Sequence, residues 1–117
     1  MTTFYSLKID STGNEIGEKI TAILGEKPNV INSSWELERA IVDADTYTDY
    51  IAYFLDLLDG NYDKLFSVGI NRNQISIWLL YEYEGQCNLE FLPLNLKRMG
   101  ENDIVLCVSC WQKDTVS

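Results

Sequence analysis

Histidine is absent from the 117 residues. That excludes His-based triads, His metal ligands and the usual general base near neutral pH. Basic residues are scarce: nine Lys and Arg stand against eighteen Asp and Glu, a net charge of −9. Phosphate contact needs Lys and Arg, so nucleic acid and anionic membranes are excluded as expected partners. Apolar runs are short and interrupted by charge, too short to span a bilayer. Residues Met1 to Asp10 lack a basic start followed by an apolar block, so no signal peptide is expected. Cysteine is limited to Cys87, Cys107 and Cys110. An odd count without an export signal reads as free thiols in a reducing compartment, and the expected location is cytoplasmic.

What is present supports a core. The chain has the usual length of one domain. Hydrophobic residues make up 46%, and three Trp, seven Tyr and four Phe are included, enough for a core without staples. No linker, repeat or low-complexity tract divides it. Residues 1–117 are expected to form one α+β domain with a polar tail at 113–117.

Phe4 to Ile9 alternates and reads as a first strand. Thr12-x-x-Glu15 has capping-box spacing. Ile16, Ile20, Ile23 and Leu24 then share one helical face, and Gly25 is a suitable stop. After the Asn32-Ser33-Ser34 turn, Trp35, Leu37 and Ile41 fall on one side of a second strand, Glu36 and Glu38 on the other. Arg39 interrupts the apolar side, which suggests an edge strand or a bulge. Thr48 is the expected N-cap of a second helix carrying Ile51, Phe54, Leu55 and Leu58. Tyr62 to Val68 fits either a short helix or a hairpin arm.

Gln74 to Tyr83 is rich in β-branched and aromatic residues and is a strong strand signal. Gly85-Gln86 suggests a turn, and Asn88 to Leu92 a short strand returning antiparallel. Pro93 suits the start of a short helix and Gly100 its end. Ile104 to Trp111 reads as the final strand. The expected fold is a mostly antiparallel sheet with two main helices on one face, ferredoxin-like or a related split βαβ arrangement.

Between Arg39 and Lys64 there is no basic residue, but there are six aspartates. Tyr47, Tyr50, Tyr53 and Tyr62 are interleaved with them. Projected at about 100° per residue, Asp49, Tyr53 and Asp56 lie opposite the apolar stripe of the second helix. Tyr53 is therefore expected to stand exposed between two carboxylates. Tyrosine is enriched at binding hot spots, and flanking carboxylates would pair with a partner's Lys or Arg. Asp45, Tyr47, Asp49, Tyr53 and Asp56 are the expected protein-binding residues. The plainer reading is a solvated face, with Asp45 and Asp49 favoured by the helix dipole.

Other candidate chemistry is thin. The acidic stretch lacks the D-x-[DN]-x-[DN]-G pattern of a calcium loop and its terminal Glu. Cys107-x-x-Cys110 falls on a strand, where residues three apart point to opposite faces. Two thiols so placed cannot share a metal, and Cys110 is expected with the core set Ile104, Leu106 and Val108. Glu36/Glu38 and Glu82/Glu84 are same-face strand neighbours, which could in principle serve as acid and base but read as exposed strand faces. No phosphate loop or nucleophile elbow occurs. No catalytic residue, metal or cofactor is expected. Trp78 falls opposite Ile75, Ile77 and Leu79, on the sheet face that helices would leave bare. Glu36, Glu38, Glu82 and Glu90 on that face would repel an RNA backbone.

Several segments together resemble a known family. They are Phe4-Tyr5-Ser6-Leu7-Lys8-Ile9, then Ile20-Thr21-Ala22-Ile23-Leu24-Gly25 with Pro28, Ser33-Ser34-Trp35, and Leu55-Asp56-Leu57-Leu58. They look like the small bacterial domains called domain of unknown function 4279, over Phe4 to about Trp111. The resemblance implies an α+β fold, no established activity and no transferable site residues. Small domains of this kind also look like immunity proteins of bacterial toxin systems. The expected function is thus an acidic protein-binding module, an immunity protein that neutralises a cognate toxin, for instance a basic nuclease. The alternative expectation is a small sensory or ligand-binding domain, or a structural homodimer joined through a sheet edge or Trp78.

Overall fold

The computed structural model describes residues 3–11, 13–31, 33–41 and 49–113. The strands are β1 (Thr3–Asp10), β2 (Ser34–Ala40), β3 (Ile75–Tyr83) and β4 (Val105–Gln112). The helices are α1 (Asn14–Leu24), α2 (Tyr50–Leu58), α3 (Tyr62–Ser67) and α4 (Pro93–Glu101), with a 3-10 turn at Arg72–Gln74. The architecture is α+β. No helix of the described residues is long and apolar enough to cross a membrane.

The four strands lie in the order β2-β1-β3-β4. β1 pairs antiparallel with both β2 and β3, whereas β3 and β4 are parallel. The sheet is therefore mixed: two of its three pairings are antiparallel, as expected for most of it, and the third is parallel. The cause is in residues 84–92. Asn88 to Leu92, expected as a strand, enters no ladder, so β3 has no hairpin partner. The chain instead returns through α4, and such a crossover sets the next strand parallel. Pro93 opens α4 as expected, and Gly100 lies inside its last turn, with Asn102 as C-cap.

Alternation decides what each strand buries. Leu7 and Ile9, Trp35 and Leu37, and Ile75 and Ile77 project into one cluster. The same cluster takes Ile20 and Leu24 of α1, the α2 stripe Ile51, Phe54, Leu55 and Leu58, Leu65 of α3 and Met99 of α4. All four helices thus cover one face of the sheet. Burying each large aliphatic or aromatic side chain contributes about 1.5–3 kcal/mol.

Local details sharpen the helix ends. α1 starts after Gly13, its N-cap; Thr12 of the expected Thr12–Glu15 capping box lies outside the described residues. Gly25 ends it in the left-handed region at φ 74°, with its N–H bonded to the Thr21 carbonyl. Gly17 lies against the following loop: a Cβ there would stand 2.4 Å from Ile31 Cγ1 and 2.9 Å from the Ile31 carbonyl oxygen. Trp35 is fully buried, and its Nε1–H donates to Thr21 Oγ1 at 3.0 Å, tying β2 to α1. β2 is an edge strand, as Arg39 suggested, and its register with β1 runs without a bulge. Ile41 lies beyond its end and is exposed.

Candidate functional site: the acidic helix face and the open sheet face

Asp45 and Tyr47 of the expected binding set lie outside the described residues. The other three are on α2 or at its start. Asp49, not Thr48, is the N-cap, and it accepts the Ala52 N–H at 3.0 Å. A carboxylate there satisfies an otherwise unbonded amide and faces the positive end of the helix. Its two oxygens also accept from Asn95 Nδ2, at 3.0 and 2.9 Å. Asn95 comes from α4 and is only 4% exposed.

Tyr53 is half-buried rather than exposed. Its ring packs against Phe54 and beneath the Arg39 guanidinium, 5.5 Å from the ring centroid. Arg39 Nη2 donates to the Tyr53 hydroxyl and to Glu26 Oε2, each at 3.3 Å. Asp56 pairs with Arg98 of α4 at 2.8 Å, yet its side chain remains 72% exposed. The helical projection placed these residues opposite the core, but it could not place the neighbours. α4 runs beside α2 and β2 closes the other flank, so the three residues have partners within the chain.

The opposite sheet face has a different character. Cross-strand registers put Glu38, Ser6, Trp78 and Cys107 in one row. The adjacent row is Glu36, Lys8, Ser76 and Val105. Phe4 and Leu80 face one another in the next. No helix among the described residues covers this side. A hollow of about 210 Å³ lies over β2, β1 and β3, with Trp78 and Phe4 among its walls. Trp78 Nε1–H donates to Ser76 Oγ at 2.9 Å. Ser6 is 3% exposed, and its hydroxyl has no hydrogen-bond partner among the described residues. Glu90 does not join this face, because its segment is not a strand.

The cysteines separate as strand geometry requires. Cys107 is level with Trp78 and Cys110 with Tyr81, so they point to opposite faces. Cys110 is exposed, not in the core as expected, and so is Val108; both lie on the edge strand β4. Its close thiol neighbour is Cys87, whose pKa is raised by burial, by the Cys110 charge and by their hydrogen bond. The spacing of Cys87 and Cys110 carries no local signal of that proximity. No group of three or more Cys, Asp or Glu among the described residues is placed to hold a metal ion.

Sequence reasoning found Trp78 and the two glutamates but not the hollow between them. The alternation of Phe4-Ser6-Lys8 was a usable signal, since a small residue centred between large ones leaves space. No family model, curated protein or solved structure matches the chain.

Proposed function

We propose that the protein is a non-catalytic binding module for a basic protein partner. Its most concrete form is the one the family resemblance implies: a cytoplasmic immunity protein that holds a cognate bacterial toxin domain, with a nuclease suited best by charge. The observation that supports this reading is the bare sheet face, where Glu36 and Glu38 stand beside the aromatic surface of Trp78 and Phe4. A net charge of −9 steers a cationic surface toward the module. An acidic surface can fill a positive nuclease cleft in place of nucleic acid. Asp56 on α2 adds an exposed carboxylate to the same acidic molecule, whereas Asp49 and Tyr53 act mainly within the chain.

The decisive experiment is binding to the product of the adjacent gene, measured by calorimetry at two salt concentrations. Saturable binding that weakens with salt supports the reading. An adjacent product that is not a toxin, together with no salt-sensitive binding to basic nuclease domains, would sink it.

One observation favours a second reading, a homodimer joined edge to edge. β4 is an edge strand with no charged residue, and Val105, Val108 and Trp111 are exposed on it. Such an edge offers unpaired backbone groups to another strand. Sedimentation across a concentration series separates a dimer from a monomeric binder.

A further inference from the structure

The hollow on the open sheet face has the composition of a cation site. Neighbouring strands lie about 4.8 Å apart, so Glu38 on β2 and Trp78 on β3 flank Ser6 on β1 across a gap of about 10 Å. Ser6 is too small to fill that gap, which is why the hollow exists. Its wall toward β3 is aromatic and apolar, and its wall toward β2 is acidic. The Glu36 carboxylate already accepts the Ser34 hydroxyl at 2.6 Å. The Glu38 carboxylate makes no hydrogen bond or ion pair among the described residues, and the Ser6 hydroxyl is likewise unpartnered.

The volume, about 210 Å³, is below the roughly 300–1,000 Å³ of small-molecule and cofactor sites. It suits a single side chain. Lys8 shows what the aromatic wall attracts: its Nζ lies 5.7 Å from the Trp78 ring centroid, within cation–π range. A guanidinium suits the site better than an ammonium. It is planar, stacks on an indole and offers a fork of N–H donors to a carboxylate.

We infer that this hollow receives one arginine side chain from a basic protein partner, with the guanidinium stacked on Trp78, paired to Glu38 and donating toward Ser6. The inference rests on the binding-module reading and names its contact. Lys8 acts as an internal competitor for the Trp78 ring, and the incoming arginine displaces it.

The test is a titration of isotopically labelled protein with N-acetyl-arginine amide, read at the Trp78 indole N–H resonance and assigned with Trp78→Leu. A saturable shift is expected. Glu38→Gln should weaken the apparent affinity at least about fivefold, and Lys8→Ala should strengthen it severalfold, since one removes the partner charge and the other the competitor. N-acetyl-citrulline amide, of the same shape without charge, should leave the resonance in place. No shift, an equal response to citrulline, or an unchanged affinity in Glu38→Gln overturns the inference. So does a response to indole alone, which would assign the hollow to an apolar ligand. Both variants lie on the sheet face away from the core, and an otherwise unchanged spectrum verifies their fold. The two readings fail separately. A basic protein that binds Trp78→Leu with full affinity removes the hollow and leaves the module. Arginine amide binding without any basic protein partner removes the module and leaves the hollow.

Discussion

The Asp49 carboxylate is held from both sides of its helix start: Ala52 N–H donates to it within α2, and Asn95 Nδ2 donates to both oxygens from α4. One side chain therefore begins one helix and docks another. Asn95→Ala should lower stability by about 1.5–3 kcal/mol, the usual cost of losing hydrogen bonds to a charged group. Asp49→Ala should cost more, roughly 2–4 kcal/mol, because the cap is lost as well and the buried Asn95 amide is stranded. Urea unfolding of both single variants and the double variant measures the coupling. A double variant whose loss equals the sum of the singles would show that the pair does not act as a unit.

Asp56 and Arg98 provide the contrast. Their ion pair is short but open to water on the carboxylate side. Exposed pairs contribute about 0.2–1 kcal/mol. Asp56→Ala should therefore change the urea midpoint little, and less than Asn95→Ala does.

Gly17 is set by proximity to Ile31. Alanine would normally favour a helix interior by about 1 kcal/mol over glycine. Here its Cβ would press on both the side chain and the carbonyl of Ile31. Gly17→Ala should be net destabilising by about 1–3 kcal/mol. Adding Ile31→Ala should recover only part of that, since the carbonyl contact survives. A raised melting temperature for Gly17→Ala would show that the loop yields freely.

Tyr62 gives the chain an alkaline sensitivity. Burial raises its pKa above the ordinary value of 10, Arg72 opposes this, Asp59 adds to it and Arg98 opposes it. The Arg72 guanidinium carbon sits 3.7 Å from the ring centroid. A phenol with a raised folded pKa contributes stability that is present below the unfolded pKa. That contribution fades as pH rises from about 10 through the folded value, because the folded state retains the proton longer. Tyr62→Phe should flatten the fall of stability above about pH 10. Denaturant melts across that range check it, and an unaltered slope in the variant would rule out Tyr62 as the cause.

Cys87 should be the slow thiol. Burial, followed by Cys110, raises its pKa, so less thiolate is present at a given pH, and alkylation depends on thiolate. Iodoacetamide labelling followed by peptide mass analysis should show the Cys87 rate rising at higher pH than an unhindered thiol. Cys110→Ser should move that rise partly back. An unmoved profile would mean that Cys110 has no influence.

Much of the fold was legible locally. The stripe Ile51, Phe54, Leu55 and Leu58 is buried as its spacing required, and Gly25 stops α1 in the conformation glycine favours. The split between Ile75, Ile77 and Leu79 on one side and Trp78 on the other appears in β3 as its alternation required. Helix starts were less legible. Asp49 and Thr48 are both capping residues one position apart, and the contact with Asn95, far along the chain, is not visible in either. The short run at Asn88 to Leu92 alternates like a strand but has no neighbour with which to pair.

The sequence by itself determined the buried stripe of α2 and the faces that β1 and β3 present, where charge is scarce and which chemistries lack their residues. Those properties follow from composition and from periods of a few residues. Only the tertiary structure decided that β4 lies parallel beside β3, that α4 and Arg39 engage the acidic face of α2, and that Ser6 sits in a hollow between Glu38 and Trp78. Each of these depends on segments distant in sequence meeting in one register. Local periodicity specifies the face a side chain takes, but not the neighbour that it finds there.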